Sequence, residues 1–229
     1  GLGDVYKRQH YNWVQDNIKK VDKASNGKIG YIYIPDMGPE GLNEFSRYFY
    51  PQLDKEGLII DDRANGGGNV SPMILERLSR EPYRLTMRRG SARIGTVPDA
   101  VQVGPKVCLI NKYSASDGDL FPWGFRALGL GKLIGTRTWG GIIGISGPLP
   151  YMDGTDIRVP FFTSYDPKTG NWIIENHGVD PDILIDNDPI KEWNGEDQQL
   201  DRAIEEVMKQ LKERKPLAPV PAPRDWSHK

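Results

Sequence analysis

One serine-containing loop has the residue types that nucleophilic chemistry requires. The apolar run Lys106–Ile110 predicts a strand, and the serine-containing segment 113–119 begins three residues after it ends. A serine at a strand-to-helix turn is exposed on a rigid base, and the helix N-terminus favours negative charge that develops there. The loop therefore resembles a nucleophile elbow, although it lacks the Gly-x-Ser-x-Gly pattern. From spacing alone, the simpler interpretation is that Ser114 or Ser116 caps the next helix.

A second candidate is the glycine turn 65–69, which follows the short apolar run 57–61. Its consecutive glycines, Gly66, Gly67 and Gly68, let the backbone approach a bound group and point N–H groups at it. Such a turn can cradle a phosphate or stabilise an oxyanion, but an ordinary tight turn explains it more simply. A P-loop is excluded because no Gly-Lys-Ser/Thr follows.

A third cluster, 175–182, places Glu175 two residues before His177. A carboxylate near an imidazole suggests a general base, but a turn residue before Gly178 is the simpler interpretation of this histidine. The aspartates at 61–62 and 180–188 are predicted to be turns and solvated surface rather than metal sites, because no His or Cys completes a ligand set. We expect neither a metal nor another cofactor.

Together these motifs resemble the catalytic core of the tricorn peptidases, which are relatives of the C-terminal processing peptidases. The resemblance runs from about His10 to Leu211 and keeps the order of its segments, which are 29–32, 35–38, 41–45, 65–68, 116–119, 129–141, 175–176 and 178–182. It implies a serine-type endopeptidase acting on oligopeptides, in which Ser116 attacks the scissile carbonyl and forms an acyl-enzyme.

The resemblance also implies roles for neighbouring residues. The N–H groups of Gly68 and Asp117 would form the oxyanion hole. Gly67 and the Asp117 carboxylate would bind substrate, the latter by pairing with a basic side chain. Glu175 would be the distal member of a Ser-His-Ser-Glu tetrad and would orient the base through the second serine. The family's base histidine and that serine precede His10, so we expect this 229-residue chain alone to be nearly inactive.

Two other functions remain open at this point. A catalytically inactive peptide-binding module would keep the same fold, and an acyl-CoA-handling enzyme of the related spiral fold would also use backbone oxyanion donors. The pairing of Ser116 with Glu175 favours a peptidase over both. The processing branch uses a lysine base where this chain has Gly141, which favours the histidine mechanism of the tricorn branch.

The elements that must position these residues alternate along the chain. Apolar runs predict strands at 29–34, 57–61, 106–110 and 133–135, with helical patterns between them. One such helix is expected over 121–128, with Pro122 in its first turn. The predicted class is α/β, a ClpP/crotonase-like spiral core with a β-rich second half (142–174) and a C-terminal amphipathic helix from about Asp197 to Lys212.

The sequence predicts that the chain consists of three segments. Residues 4–9 read as the translated end of a sequencing-transposon adapter, so we predict that 1–9 is an artefact. Residues 10–212 are then an N-terminally truncated catalytic core, and 213–229 are a proline-rich tail.

Composition restricts the partners. The 30 basic residues are scattered and are balanced by 31 acidic residues, which argues against nucleic acid. No apolar run is long enough to span a membrane. The single cysteine, Cys108, is expected to be buried and inert. The expected partners are peptide substrates and, from the resemblance, further copies of the chain in a homo-oligomer. The resemblance to the family also favours a location in the cytoplasm.

Overall fold

A computed structural model of the chain describes residues 2–88, 90, 94–145, 149–215 and 220–221. The helices are α1 (Leu2–Ala24), α2 (Pro39–Phe49), α3 (Ser71–Leu78), α4 (Asp117–Ala127), α5 (Pro189–Trp193) and α6 (Gln198–Glu213). The strands are β1 (Ile29–Tyr33), β2 (Gly57–Asp61), β3 (Arg84–Met87), β4 (Ile94–Val97), β5 (Lys106–Ile110), β6 (Gly131–Gly135), β7 (Gly144–Ile145), β8 (Leu149–Pro150), β9 (Asp156–Ile157), β10 (Pro160–Phe162) and β11 (Ile183–Leu184).

The central sheet has five strands in the order β1-β2-β5-β6-β11, and every neighbouring pair is parallel. In its middle register, Tyr31 pairs with Ile59 and Ile59 pairs with Val107. Because the order only increases and parallel crossovers are right-handed, successive connections step the same way and lie on one face. This is the α/β spiral that the sequence predicts, and it differs from a doubly wound sheet.

Apolar side chains pack on both faces of this sheet. On one face, Leu58, Ile60 and Cys108 pack with apolar residues of α2, α3 and α4, which are the three crossover helices. On the other face, Ile59 and Val107 pack with the terminal helices α1 and α6. Neighbouring residues of β2 thus serve opposite faces, as strand geometry requires. Burial on both faces explains why the central strands are uninterrupted apolar runs.

The C-terminal helix α6 confirms the amphipathic prediction. It begins with Asp197 as its cap, whose carboxylate accepts the N–H of Leu200 at 3.0 Å. Leu200, Ala203 and Val207 are fully buried against the sheet. The apolar stripe of this helix is therefore covered by the core of its own chain.

The prediction for α4 is wrong at its start. The helix begins at Asp117, because the N–H groups of Asp119 and Leu120 already donate to the Ser116 carbonyl. Pro122 consequently lies inside the helix rather than in its first turn. The polar residues 117–119 obscure the helix in the sequence, since they are buried by tertiary contacts rather than exposed in a loop.

The second half of the chain is β-rich as predicted. Two short antiparallel pairs, β7 with β10 and β8 with β9, lie between β6 and β11. A further hairpin, β3 with β4, has no counterpart in the sequence analysis.

The predictions for the two ends of the chain, an adapter-derived start and a proline-rich tail, are not tested by the structure. Residues 2–9 belong to α1, and their origin in an adapter stays a prediction. Most of the predicted tail, 216–219 and 222–229, lies outside the described residues. Within the described ranges, no helix combines the length and apolar character that crossing a bilayer requires.

Candidate active site

Ser116 lies on a strained turn between β5 and α4, and it is exposed. Its backbone angles are φ 57 and ψ −121, a region that residues with a side chain rarely adopt. Such strain costs about 1–3 kcal/mol and persists only where surrounding contacts enforce it. Although Ser116 precedes the first residue of α4, its side chain makes no capping hydrogen bond. The simpler interpretation as a helix cap therefore does not account for this residue.

Ser114, the other serine of the loop, has a structural role. It is fully buried, and its hydroxyl donates to the carbonyl oxygen of Asp62 at 2.8 Å. The structure thus separates two serines that the sequence left equivalent, because only Ser116 is accessible to a substrate.

The glycine turn packs directly against Ser116. A β-carbon added to Gly67 would lie 2.6 Å from the Ser116 Cβ and 2.9 Å from the Asp117 nitrogen. Asn65, which is fully buried, holds the two loops together. Its carbonyl accepts the N–H of Ala115 at 2.9 Å, and its Oδ1 accepts the N–H of Gly67 at 2.9 Å. The glycine turn and the serine turn therefore form one unit.

Two backbone amides in the serine and glycine turns lack a hydrogen-bond partner within the described part of the chain. Among the described residues, neither the N–H of Gly68 nor that of Asp117 donates a hydrogen bond. Their neighbours are engaged, since Gly67 donates to Asn65 and Gly118 donates to the Ala115 carbonyl at 2.8 Å. Asp117 is also the first residue of α4, where the helix dipole favours negative charge. This arrangement can stabilise an oxyanion.

The Asp117 carboxylate ties α4 to α3. It is only 5% exposed, and its oxygens accept the N–H of Ser71 at 3.0 Å and the Ser71 hydroxyl. These bonds count against the predicted pairing of this carboxylate with a basic substrate side chain, because a cation would have to compete with them. The pairing stays a prediction.

Glu175 is half-buried and anchors the loop that follows β6. Its Oε2 accepts the N–H groups of Ile142 at 2.7 Å and Ile143 at 2.9 Å. Its Oε1 accepts no hydrogen bond among the described residues. One oxygen therefore fixes the carboxylate, and the other is available to orient a further group.

The contacts of both histidines within the described residues are with groups other than the serine hydroxyl. His177 pairs with Asp180 at 2.7 Å on an exposed turn, and Gly178 follows it with φ +84. This supports the interpretation of His177 as a turn residue. His10 packs against the rings of Trp13 and Tyr33. Within the described part of the chain, no side chain forms a hydrogen bond with the Ser116 hydroxyl.

The prediction that residues 61–62 are solvated is wrong, because both aspartates are fully buried. Asp61 is paired with Arg63 at 2.6 Å and accepts the Tyr31 hydroxyl at 2.7 Å. Asp62 has no hydrogen-bond partner for either carboxylate oxygen among the described residues. Burial, and then the charges of Asp61, Asp119 and Asp117, raise the pKa of Asp62 well above its usual value. The folded state therefore disfavours the ionised form of Asp62 and favours its protonated form.

We expect Asp62→Asn to reduce the loss of stability at rising pH. A carboxyl whose folded pKa is raised stabilises the fold below its unfolded pKa of about 3.9, and this contribution is lost as pH rises toward the folded pKa. Asparagine has a similar shape and cannot ionise. The melting temperature of the variant relative to that of the wild type should therefore rise with increasing pH. The measurement is the melting temperature of both proteins from about pH 4 to about pH 9.

Asp61→Asn is the matched control for this prediction. It weakens the ion pair with Arg63 and should lower the melting temperature wherever that pair is charged. A difference between Asp62→Asn and wild type that does not grow with pH would contradict the assignment of the proton to Asp62.

The fold and this site define a class of protein before any relative is considered. An exposed serine on a strained turn, close to two amides that lack a hydrogen-bond partner among the described residues, is an arrangement that can support acyl transfer. The sequence model of peptidase family S41 matches residues 28–185, and the chain belongs to this family.

Curated relatives confirm the resemblance to the tricorn peptidases. The tricorn protease of Thermoplasma volcanium is 43% identical over 94% of this chain and 21% of its own length. The tricorn protease of Thermoplasma acidophilum is 42% identical, over 89% and 19% respectively. The chain thus spans about a fifth of the length of these relatives.

Solved structures agree with the fold. The crystal structure of the tricorn protease matches with a TM-score of 0.81 and 42% identity, over 87% of this chain and 19% of that one. The photosystem II D1 C-terminal processing protease matches with a TM-score of 0.52 and 22% identity, over 69% of this chain and 42% of that one. The latter likeness concerns the fold alone.

Proposed function

We propose that this domain carries the nucleophile of a serine peptidase that hydrolyses oligopeptides through an acyl-enzyme on Ser116. The carrying observation is the exposed hydroxyl on a strained turn, with the available N–H groups of Gly68 and Asp117 beside it. Membership of peptidase family S41 supports the same reaction class.

The proposed chemistry proceeds in two steps. The Ser116 oxygen attacks the scissile carbonyl carbon while a base takes its proton, and the carbonyl oxygen gains negative charge. The N–H groups of Gly68 and Asp117 stabilise this oxyanion, and each such donor typically contributes about 10²–10³ in turnover. Collapse breaks the C–N bond, and the leaving amine takes the proton from the base. Water then hydrolyses the ester and frees the serine.

We propose that the base is a histidine outside this chain, oriented by Glu175 through a serine. Two facts support Glu175 in this role. Its Oε2 is fixed by two backbone amides, and its Oε1 is available. A carboxylate held in this way can keep an imidazole in one orientation, as the buried acid does in other serine peptidases.

A homo-oligomer is part of the proposal. The hairpins between β6 and β11 expose large apolar side chains, among them Met152, Phe161 and Trp172. Clusters of exposed apolar side chains commonly mark protein interfaces. Peptide substrates in the cytoplasm are proposed from the resemblance to the tricorn peptidases.

A fluorophosphonate probe tests the nucleophile. In the full-length protein we expect labelling at Ser116, found by mass spectrometry of the modified peptide and lost in Ser116→Ala. The isolated 229-residue chain should react at least about 10²-fold more slowly, which is the lower end of a typical general-base contribution.

Each other outcome has a distinct meaning. Labelling of the full-length protein at a different serine would refute the proposed nucleophile. Equal rates for the full-length protein and the isolated chain would show that the base lies within the chain. Peptide binding without labelling would favour the alternative, an inactive peptide-binding module.

A further inference from the structure

We infer that Asp119 is a positioning residue, which holds the Glu175-bearing loop in register with the Ser116 turn. The inference deepens the proposed function and rests on it. The resemblance assigns no catalytic role to Asp119, and its carboxylate forms no hydrogen bond with the Ser116 side chain among the described contacts. Asp119 would act by joining the Ser116 turn to the loop that follows β6.

The contacts of Asp119 connect two chain segments about 20 residues apart. Its side chain is fully buried. Its Oδ1 accepts the N–H of Gly140 at 2.7 Å, and its Oδ2 accepts the N–H of Gly141 at 3.2 Å. Its own N–H donates to the Ser116 carbonyl at 2.9 Å. Asp119 is therefore one helical turn from the nucleophile and bonded directly to the loop after β6.

The next two amides of that loop bind Glu175, a member of the proposed tetrad. Ile142 and Ile143 follow Gly141 directly, and both donate to the Glu175 carboxylate. The segment 140–143 thus presents four consecutive N–H groups, of which two bind Asp119 and two bind Glu175. A displacement of this segment relative to α4 would displace Glu175 relative to Ser116 by a similar amount.

An aspartate matches the two donors of this loop better than an asparagine does. It supplies two acceptors for two adjacent N–H donors, whereas the amide of asparagine supplies one acceptor and turns an NH₂ group toward the second donor. Segment 140–143 also has little room to move if a bond to Asp119 is lost. Gly140 has φ +88, and a β-carbon there would lie 2.3 Å from the Gly178 nitrogen, so the backbone is packed closely against the Glu175 loop.

The simpler role for Asp119 is to stabilise the first turn of α4 through the helix dipole, without any effect on catalysis. That role and the positioning role make different predictions. Stabilisation of the helix alone changes the melting temperature, whereas positioning changes turnover in molecules that remain folded.

The test is a double-mutant cycle between Asp119→Asn and Glu175→Gln in the full-length protein. We expect Asp119→Asn to lower kcat by about 10²-fold with little change in KM, because a displacement of about 1 Å at a catalytic group has an effect of this size. In the Glu175→Gln background the same change should lower kcat by less than about threefold, since groups that act as a unit are not additive.

Asp182→Asn is the matched control. Its carboxylate also accepts a backbone N–H, that of Leu133 at 2.7 Å, but it makes no bond to segment 140–143 among the described contacts. We expect it to lower the melting temperature and to leave kcat nearly unchanged.

Additive losses in the cycle, or a full kcat in folded Asp119→Asn, would overturn the inference. Such a failure is distinguishable from failure of the proposed function. If Ser116→Ala also kept its activity, the nucleophile itself would be wrong, whereas an inactive Ser116→Ala beside an active Asp119→Asn would refute the positioning role alone.

Discussion

Replacement of Ser116 by glycine is expected to stabilise the domain and to abolish turnover. Glycine adopts φ 57 and ψ −121 without steric cost, so the variant removes a strain of about 1–3 kcal/mol. It also loses about 0.5–1 kcal/mol because glycine is more flexible in the unfolded chain. The expected net gain is about 1 kcal/mol in the free energy of unfolding, since the first effect is the larger.

Loss of the Ser116 hydroxyl, the proposed nucleophile, should reduce kcat of the full-length protein by at least about 10⁴-fold, as for serine peptidases whose nucleophile is removed. Ser116→Ala should show the same loss without the gain in stability, because alanine keeps a β-carbon in the strained region. The measurements are peptide hydrolysis and denaturant unfolding of all three proteins.

The neighbouring Ala115→Gly is the matched control for the stability effect. Ala115 does not have a positive φ, so glycine there relieves no strain and should lower stability by about 0.5–1 kcal/mol. If Ser116→Gly were no more stable than Ser116→Ala, the strain at the serine would not be a real property of the turn. If Ser116→Gly retained turnover, the proposed nucleophile would be wrong.

The strands and the two reactive loops could be predicted because their signals are local. The run Lys106–Ile110 is apolar throughout, and the glycine turn 65–69 is visible as a string of letters. The identity of Ser116 as the exposed serine required the resemblance, since spacing alone favoured a helix cap. Its strained backbone then distinguished it from the buried Ser114.

The polar support of the site could not be predicted, because its bonds join distant segments. Asn65 binds the loop at Ala115, and Asp119 binds Gly140 and Gly141. A buried aspartate and a solvated one look alike in a sequence, so the sequence alone does not reveal that residues 61–62 are buried. For the same reason, the buried Asp117 and Asp119 did not indicate that α4 begins at Asp117.

The three glycines of the turn 65–69 should differ sharply when each is replaced by alanine. Gly66 has no positive φ, and a β-carbon there would meet nothing within 4 Å, so Gly66→Ala should leave stability within about 0.5 kcal/mol. Gly67 has φ +95, and its β-carbon would lie 2.6 Å from the Ser116 Cβ. Gly67→Ala must therefore push Ser116 aside.

We expect Gly67→Ala to lower kcat of the full-length protein by about 10²-fold or more, since displacement of a reacting group by about 1 Å has this effect. Gly68→Ala should lower the stability of the fold in addition to kcat. Its β-carbon would lie 2.0 Å from the Met37 carbonyl oxygen and would break the β-bridge between Met37 and Gly68. Hydrolysis rates and melting temperatures of the three variants would be compared. Equal effects at Gly66 and Gly67 would contradict the close packing of the glycine turn on the nucleophile, since only Gly67 approaches Ser116.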